Sequence, residues 1–183
     1  MDSDTPPGPG GPALAGAASE IREHWDELIG DAEATAAEFE SAGWETLVGH
    51  PGDVTVTEIE RFGIDVLLPD DEYARLEAWV EDGSFDAFDV YRAETTMVFL
   101  LVVAKDEVAE RAVCLPAYYE ASDLSTLVDG AQEHGGIPIY VRNLMEEFVT
   151  FTPDRPALLL PDPDDADAGA VDQGDVDDSS ESA

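Results

Sequence analysis

Apolar residues at intervals of three and four define the first ordered stretch of the chain. Ile21, Trp25, Leu28, Ala32, Ala36 and Phe39 fall on one face of a helix that opens at Ser19, a residue type suited to N-capping, and stops near Gly43. Beyond it, "WETLVGHPGDVTV" predicts two short extended pieces around a His50-Pro51-Gly52-Asp53 turn, since Pro fixes φ and Gly accepts positive φ. "FGIDVLLP" predicts another strand. The segment "DDEYARLEAWVEDG" places acids where a helix N-terminus favours negative charge and ends on Gly83. Tyr73, Leu76, Trp79 and Val80 form its apolar stripe.

Three strand-like segments follow, "FDAFDVYRAE", "TTMVFLLVVAKD" and "ERAVCLPAYYE", joined by connections too short for parallel crossovers. They predict an antiparallel meander whose unbroken apolar middle member is covered on both faces. "SDLSTLVDGAQEHGG" supplies a third helix, with Leu124, Leu127, Val128 and Ala131 on one face and Gly135-Gly136 as its stop. "IPIYVR" and "EEFVTFT" close the pattern as strands. The order αββαβββαββ defines an α+β single domain, with about three helices packed on a mostly antiparallel sheet. Residues 1–18 and 161–183 have little to bury, so both ends are expected to be disordered around a globular domain at 19–160.

Charge changes this picture more than length does. The chain has 43 acids and 8 bases in 183 residues, a formal net charge of -35. With the eleven acids of the two ends set aside, residues 19–160 still keep 32 acids against 8 bases, a net of -24. The acidity therefore belongs to the body and not to a tail. The bases are seven arginines and one lysine, Lys105, so few aliphatic-stemmed ammonium groups clothe the surface. Such a surface repels itself in dilute buffer. Near 1 M salt the screening length falls to about 3 Å and most of that repulsion is removed. This composition suits a cytosol filled with molar salt.

The phrases "GWETLVGHPGDV", "FGIDVLLPDDEYARLEAWVEDGSFDAFDVYRAE", "RAVCLPAYYE" and "EEFVTFTPD" resemble those of a small acidic family of haloarchaea classed as a domain of unknown function. The resemblance covers roughly Ser19 to Pro156 and agrees with the salt argument. It implies no activity and supplies no catalytic or binding residue. The chain departs from a tidy globular unit only in its two low-complexity ends.

The charge also sets aside several partners. Dispersed acids usually mark a solvated face, and a body of this charge is pushed away from a phosphate backbone, so no nucleic acid is expected. The longest apolar run, Met97–Ala104, is far short of the about 20 residues that span a bilayer. With no basic, apolar leader at its N-terminus, the chain is expected to be cytoplasmic, without membrane contact.

Cys114 is the only cysteine. It would serve as a nucleophile only with an imidazole in hydrogen-bond reach, whereas its neighbours Val113 and Leu115 make it a small apolar strand residue. His24, His50 and His134 show no i, i+4 or HxH spacing, so no metal is expected, and no cofactor motif such as GxGxxG occurs. Adjacent acids such as Asp70-Asp71 and Glu146-Glu147 are expected by chance among so many. "DGSFDAFDV" lacks the ligand pattern of a calcium loop.

What remains is a candidate binding surface. His50 and Asp53 project from the turn, Tyr91 and Arg92 lie towards the end of one strand, and Tyr118 and Tyr119 alternate across the end of its neighbour. The expected function is a non-enzymatic binding or interaction domain, whose partner is another protein or a second copy. The alternative is a small hydrolase or transferase using His50, Asp53 or Cys114. These three would then have to converge on one pocket.

The charge argument has a direct test. The isolated protein is expected to lose cooperative unfolding when moved from molar KCl to dilute buffer, as followed by circular dichroism. Melts that are indifferent to KCl would remove the salt-adaptation argument.

Overall fold

The computed structural model describes residues 12–161. In chain order these form α1 (Pro12–Ser41), β1 (Glu45–Val48), β2 (Asp53–Thr57), β3 (Gly63–Leu67), α2 (Asp70–Asp82), β4 (Ala87–Glu94), β5 (Met97–Asp106) and β6 (Arg111–Glu120). Then come α3 (Leu124–His134), β7 (Ile139–Arg142) and β8 (Phe148–Phe151), with single 3₁₀ turns at Ala121–Asp123 and Pro156–Leu159. The α+β class and the three helices agree with the sequence pattern. The expectation of one sheet is corrected, because the strands divide into two four-stranded sheets, β1-β6-β5-β4 and β2-β3-β7-β8.

β5 is the centre of the molecule. Its residues alternate between two cores: Met97, Phe99, Leu101 and Val103 pack under α1, while Val98, Leu100, Val102 and Ala104 point the other way. The first core is completed by Leu28, Ala32 and Ala36 of α1 and by Ala112 and Cys114 of β6. The second joins the inner face of the β2-β3-β7-β8 sheet with Tyr73, Leu76 and Trp79 of α2 and Leu127 of α3. An apolar strand with no polar face is stable only between two covers, and this one has both. Truncating Leu100 or Phe99, each essentially without solvent exposure, is a change of the kind that costs about 2–5 kcal/mol.

β4, β5 and β6 form the expected antiparallel meander. The two pieces beside the 50–53 turn are both strands, which makes the order αβββαβββαββ, but they do not pair with each other. β1 runs parallel to β6, whereas β2 crosses to the other sheet and pairs with β3. Pro116 accounts for where they part. The last pair between β1 and β6 sets Val48 opposite Cys114, and Gly49 then donates to the Cys114 carbonyl at 2.9 Å. Beyond that point β6 has an open edge in its sheet, where the missing N–H of Pro116 costs no ladder bond.

α1 opens at Pro12, seven residues before the expected cap at Ser19. Pro suits the first helical position, and the Ala-rich run behind it favours a helix. Residues 12–18, read from sequence as part of a tail, therefore have helical backbone; the other residues of the two low-complexity ends, apart from Pro161, lie outside those described. α3 ends on Gly135 at φ 80°, the left-handed stop that the Gly pair predicts.

One acid is part of the frame. Asp106, at the end of β5, is 3% exposed and accepts the backbone N–H groups of Val108 and Ala109 with Oδ1 and of Ser84 with Oδ2, at 3.0–3.1 Å. It thus ties the β5–β6 turn to the link between α2 and β4. A side chain at position 83 would collide with that carboxylate, which explains Gly83. The Ala109 N–H is the main cause holding the Asp106 carboxyl below its ordinary value, with Ser84, Val108 and Arg111 adding and burial opposing. A carboxyl depressed by folding stabilises the native state above the ordinary carboxyl range, and that stabilisation is lost as pH falls through the folded value. Asp106→Ala is expected to destabilise the fold by about 2–3 kcal/mol at neutral pH in urea unfolding, with a smaller difference from the parent in acid. Equal stability of the two chains at neutral pH would remove Asp106 from the frame.

Candidate functional site

α1 lies across the β1-β6-β5-β4 sheet and leaves a groove on each side. On the β4 side, Leu28, Asp31 and Thr35 face Tyr91 and Ala93 across a groove of about 320 Å³. On the other side, Ile21, Arg22 and Trp25 of α1 face Pro51, Asp53 and Tyr118 across one of about 350 Å³. The amphipathic pattern creates both, because a cylinder seated on a sheet covers a strip and leaves its flanks open.

The expected surface residues sort onto different parts of this frame. Tyr118 and Tyr119 alternate as predicted. Tyr119 is 2% exposed and donates its hydroxyl to the Leu159 carbonyl at 2.8 Å, so it fastens the last described turn to β6. Burial pushes its hydroxyl pKa well up, partly opposed by Arg92. Tyr118 is half-buried under α1, where Trp25 meets its ring edge-on at a centroid distance of 5.5 Å. Burial first, then the charges of Asp53 and Glu120, raises its pKa. Tyr91 is 58% exposed on the α1 face of β4, whereas Arg92 points to the other face and donates to the Leu158 carbonyl at 3.0 Å.

His50 has a structural post. Its backbone N–H donates to Glu72 Oε1 at 2.6 Å, its Nδ1 lies 3.0 Å from Glu72 Oε2, and its Nε2 lies 3.8 Å from Glu33. The turn is thereby pinned between the first turn of α2 and the middle of α1. His134 stacks on Phe62 in the last turn of α3, and His24 lies against Phe99 at 5.5 Å with its side chain still 40% exposed.

Cys114 has no solvent exposure and faces α1 inside the first core. Burial alone pushes its thiol up to about 11, opposite to the direction of an activated nucleophile. The groove that Asp53 lines includes neither His50 nor Cys114. The three residues of the enzymatic alternative therefore do not meet in one pocket. Among the described residues, no group of three or more His, Cys, Asp or Glu is placed to hold a metal ion, and no helix is long and apolar enough to cross a membrane.

The sequence reading missed the α1 half of the Asp53–Tyr118 groove. Trp25 was legible as a member of the apolar face, but only the packing shows that it stands at the edge of that face. There its ring reaches Tyr118 and its remaining surface lines the groove. On the outer face of the second sheet, Arg61 and Arg142 both pair with Asp65, and Arg61 also lies over the Tyr140 and Phe148 rings. Those charges are already engaged within the sheet.

A helix-covered, two-sheet α+β domain with an aromatic-lined groove beside its first helix is the class of protein these observations define. Residues 12–161 match a family of unknown function, DUF7529, and the chain belongs to it. No curated protein and no solved structure matches the chain.

The thiol provides a test of these assignments. Native Cys114 is expected to alkylate slowly at neutral pH and rapidly after unfolding, and Cys114→Val to change stability by no more than about 1–2 kcal/mol. Fast native labelling, slowed by replacing His50, would restore the nucleophile.

Proposed function

We propose that the chain is a salt-adapted cytoplasmic binding domain that acts without catalysis, through the groove between Trp25 and Tyr118. The observation that carries this reading is the groove's chemistry. An edge-to-face aromatic pair and Pro51 form an apolar lining, while Arg22 and Asp53 stand at its margin. Neither the Trp25 indole N–H nor the Tyr118 hydroxyl has a hydrogen-bond partner among the described residues. Rigid aromatics with unused donors are what a recognition site needs, because they give contact area at little entropic cost. The net charge of -24 in residues 19–160 supports the salt-adapted part, and with it a haloarchaeal cytosol.

Affinity capture from a high-salt lysate with the full chain and with a Trp25→Ala, Tyr118→Ala variant tests the site. A protein retained by the parent and lost by the variant is the expected result, or, for self-association, a dimer in sedimentation that the variant abolishes. A partner held equally by both chains would move the function away from this groove.

A further inference from the structure

The two sheets protect their edges unequally. β1 and β8 have four residues each, β2 has five and lies against β6, and the stretch of β6 beyond β1 carries Pro116. Short strands and prolines are common defences of an edge against pairing with another chain. β4 has neither. It is an edge strand of eight residues without proline, and its register with β5 runs from Ala87 to Glu94 with no bulge.

The alternation of the ladder fixes which β4 backbone groups point outward. The Cys114 carbonyl accepts the Gly49 N–H on the β1 side, so Leu115 and Ala117 of β6 turn their backbone groups to β5. Pro116, which has no N–H, falls among the residues turned away. Leu115 and Ala117 pair with Val102 and Leu100, which leaves Leu101 and Val103 to bond Tyr91 and Asp89 of β4. Phe88, Val90, Arg92 and Glu94 therefore direct their N–H and C=O away from the sheet. For Phe88, Val90 and Glu94 no backbone partner stands on that side among the described residues.

Charge and register select an occupant. We infer that β4 is a dimerisation edge, paired antiparallel with β4 of a second copy about a twofold axis at Tyr91. Acids outnumber bases 43 to 8 in the chain, so two copies repel over most of their surfaces. At this edge Asp89 and Glu94 are matched by Arg92 and by Lys105, which reaches Asp89 at 2.8 Å. With the axis at Tyr91, Phe88 faces Glu94 of the second copy, Asp89 faces Ala93 and Val90 faces Arg92. All four outward residues are then paired and no like charges are directly opposed. An axis at Val90 would set Glu94 against Asp86, and one at Asp89 or Arg92 would set that charge against itself. Tyr91, 58% exposed, meets its counterpart in a closely spaced non-hydrogen-bonded pair, where aromatic side chains touch. The axis is perpendicular to the sheet, so both α1 helices lie on one face and the two grooves beside Tyr91 share a floor. This surface lies on the opposite flank of α1 from Tyr118, and the inference goes beyond the reading of that groove without depending on it.

The test uses the full chain in molar KCl. In sedimentation equilibrium the parent is expected at twice its 19.6 kDa mass. Val90→Pro removes an outward N–H that β5 does not use, and is expected to give a monomer with the parent's circular dichroism. Two cysteine variants read the register without relying on that one. Under mild oxidation Tyr91→Cys is expected to form a disulfide-linked dimer, whereas Ala93→Cys is not, because its counterpart stands about 14 Å away along the paired strands, beyond the about 7 Å that a disulfide spans. The parent's own thiol, at Cys114, has no solvent exposure. A monomeric parent overturns the inference, and so does Tyr91→Cys linking no faster than Ala93→Cys. The Trp25→Ala, Tyr118→Ala variant is expected to remain a dimer; loss of the dimer there would assign self-association to the other groove and overturn the β4 edge.

Discussion

The fold depends on burying β5 on both of its faces. A ten-residue strand with an unbroken apolar run cannot lie at a surface, and its period-2 alternation gives each face a different set of side chains. One face requires α1, and the other requires the second sheet with α2 and α3. The remaining strands, β1, β4 and β6, complete the sheet in which β5 lies. The same constraint explains why the chain leaves the first sheet at Gly49: the second cover has to be built from strands that do not pair with β5. The link that crosses between the sheets is then held by His50 against Glu72 and Glu33, at the point where both helices come within reach of the turn.

Local order was legible where one residue's neighbours in sequence determine its environment. The face of α1, the acidic start of α2, the meander and the glycine stop of α3 follow from periodicity and from end chemistry, and all are present. The division into two sheets was not legible, since β1 and β2 look alike as short extended pieces, and nothing in "HPGD" says that the second belongs to another layer. Pro116 was the available signal. A proline inside an apolar strand marks a place where one neighbour is missing, and here that neighbour is β1. The early start of α1 was obscured by composition: a Pro- and Ala-rich run reads equally as a tail or as the first turns of a helix.

The site was legible in pieces and not as a unit. The alternation of Tyr118 and Tyr119 gave one core and one rim residue, and strand flanks gave Cys114 its apolar setting. His50 and Asp53, three residues apart in one turn, serve different parts of the structure, the first a helix-to-helix tie and the second the wall of a groove. Sequence adjacency suggested a shared role that the crossing between sheets breaks. Trp25 could not be separated from Leu28 or Ala32 by pattern, because helical periodicity identifies a face but not its margin.

That margin is where stability and recognition part company. At Ala32 and Ala36 the helix approaches the sheet closely enough to leave no surface, and any larger side chain there would have to displace β5 or β6. Earlier in the same helix stand larger residues, Ile21 and Trp25, which are only partly buried and line the flank towards Asp53 and Tyr118. Small residues at Ala32 and Ala36 and larger ones at Ile21 and Trp25 thus give one amphipathic pattern a packed core and one wall of a groove. The 50–53 turn supplies the opposite wall through Pro51 and Asp53. The groove's shape depends on the same seating of α1 on β5 and β6 that builds the first core.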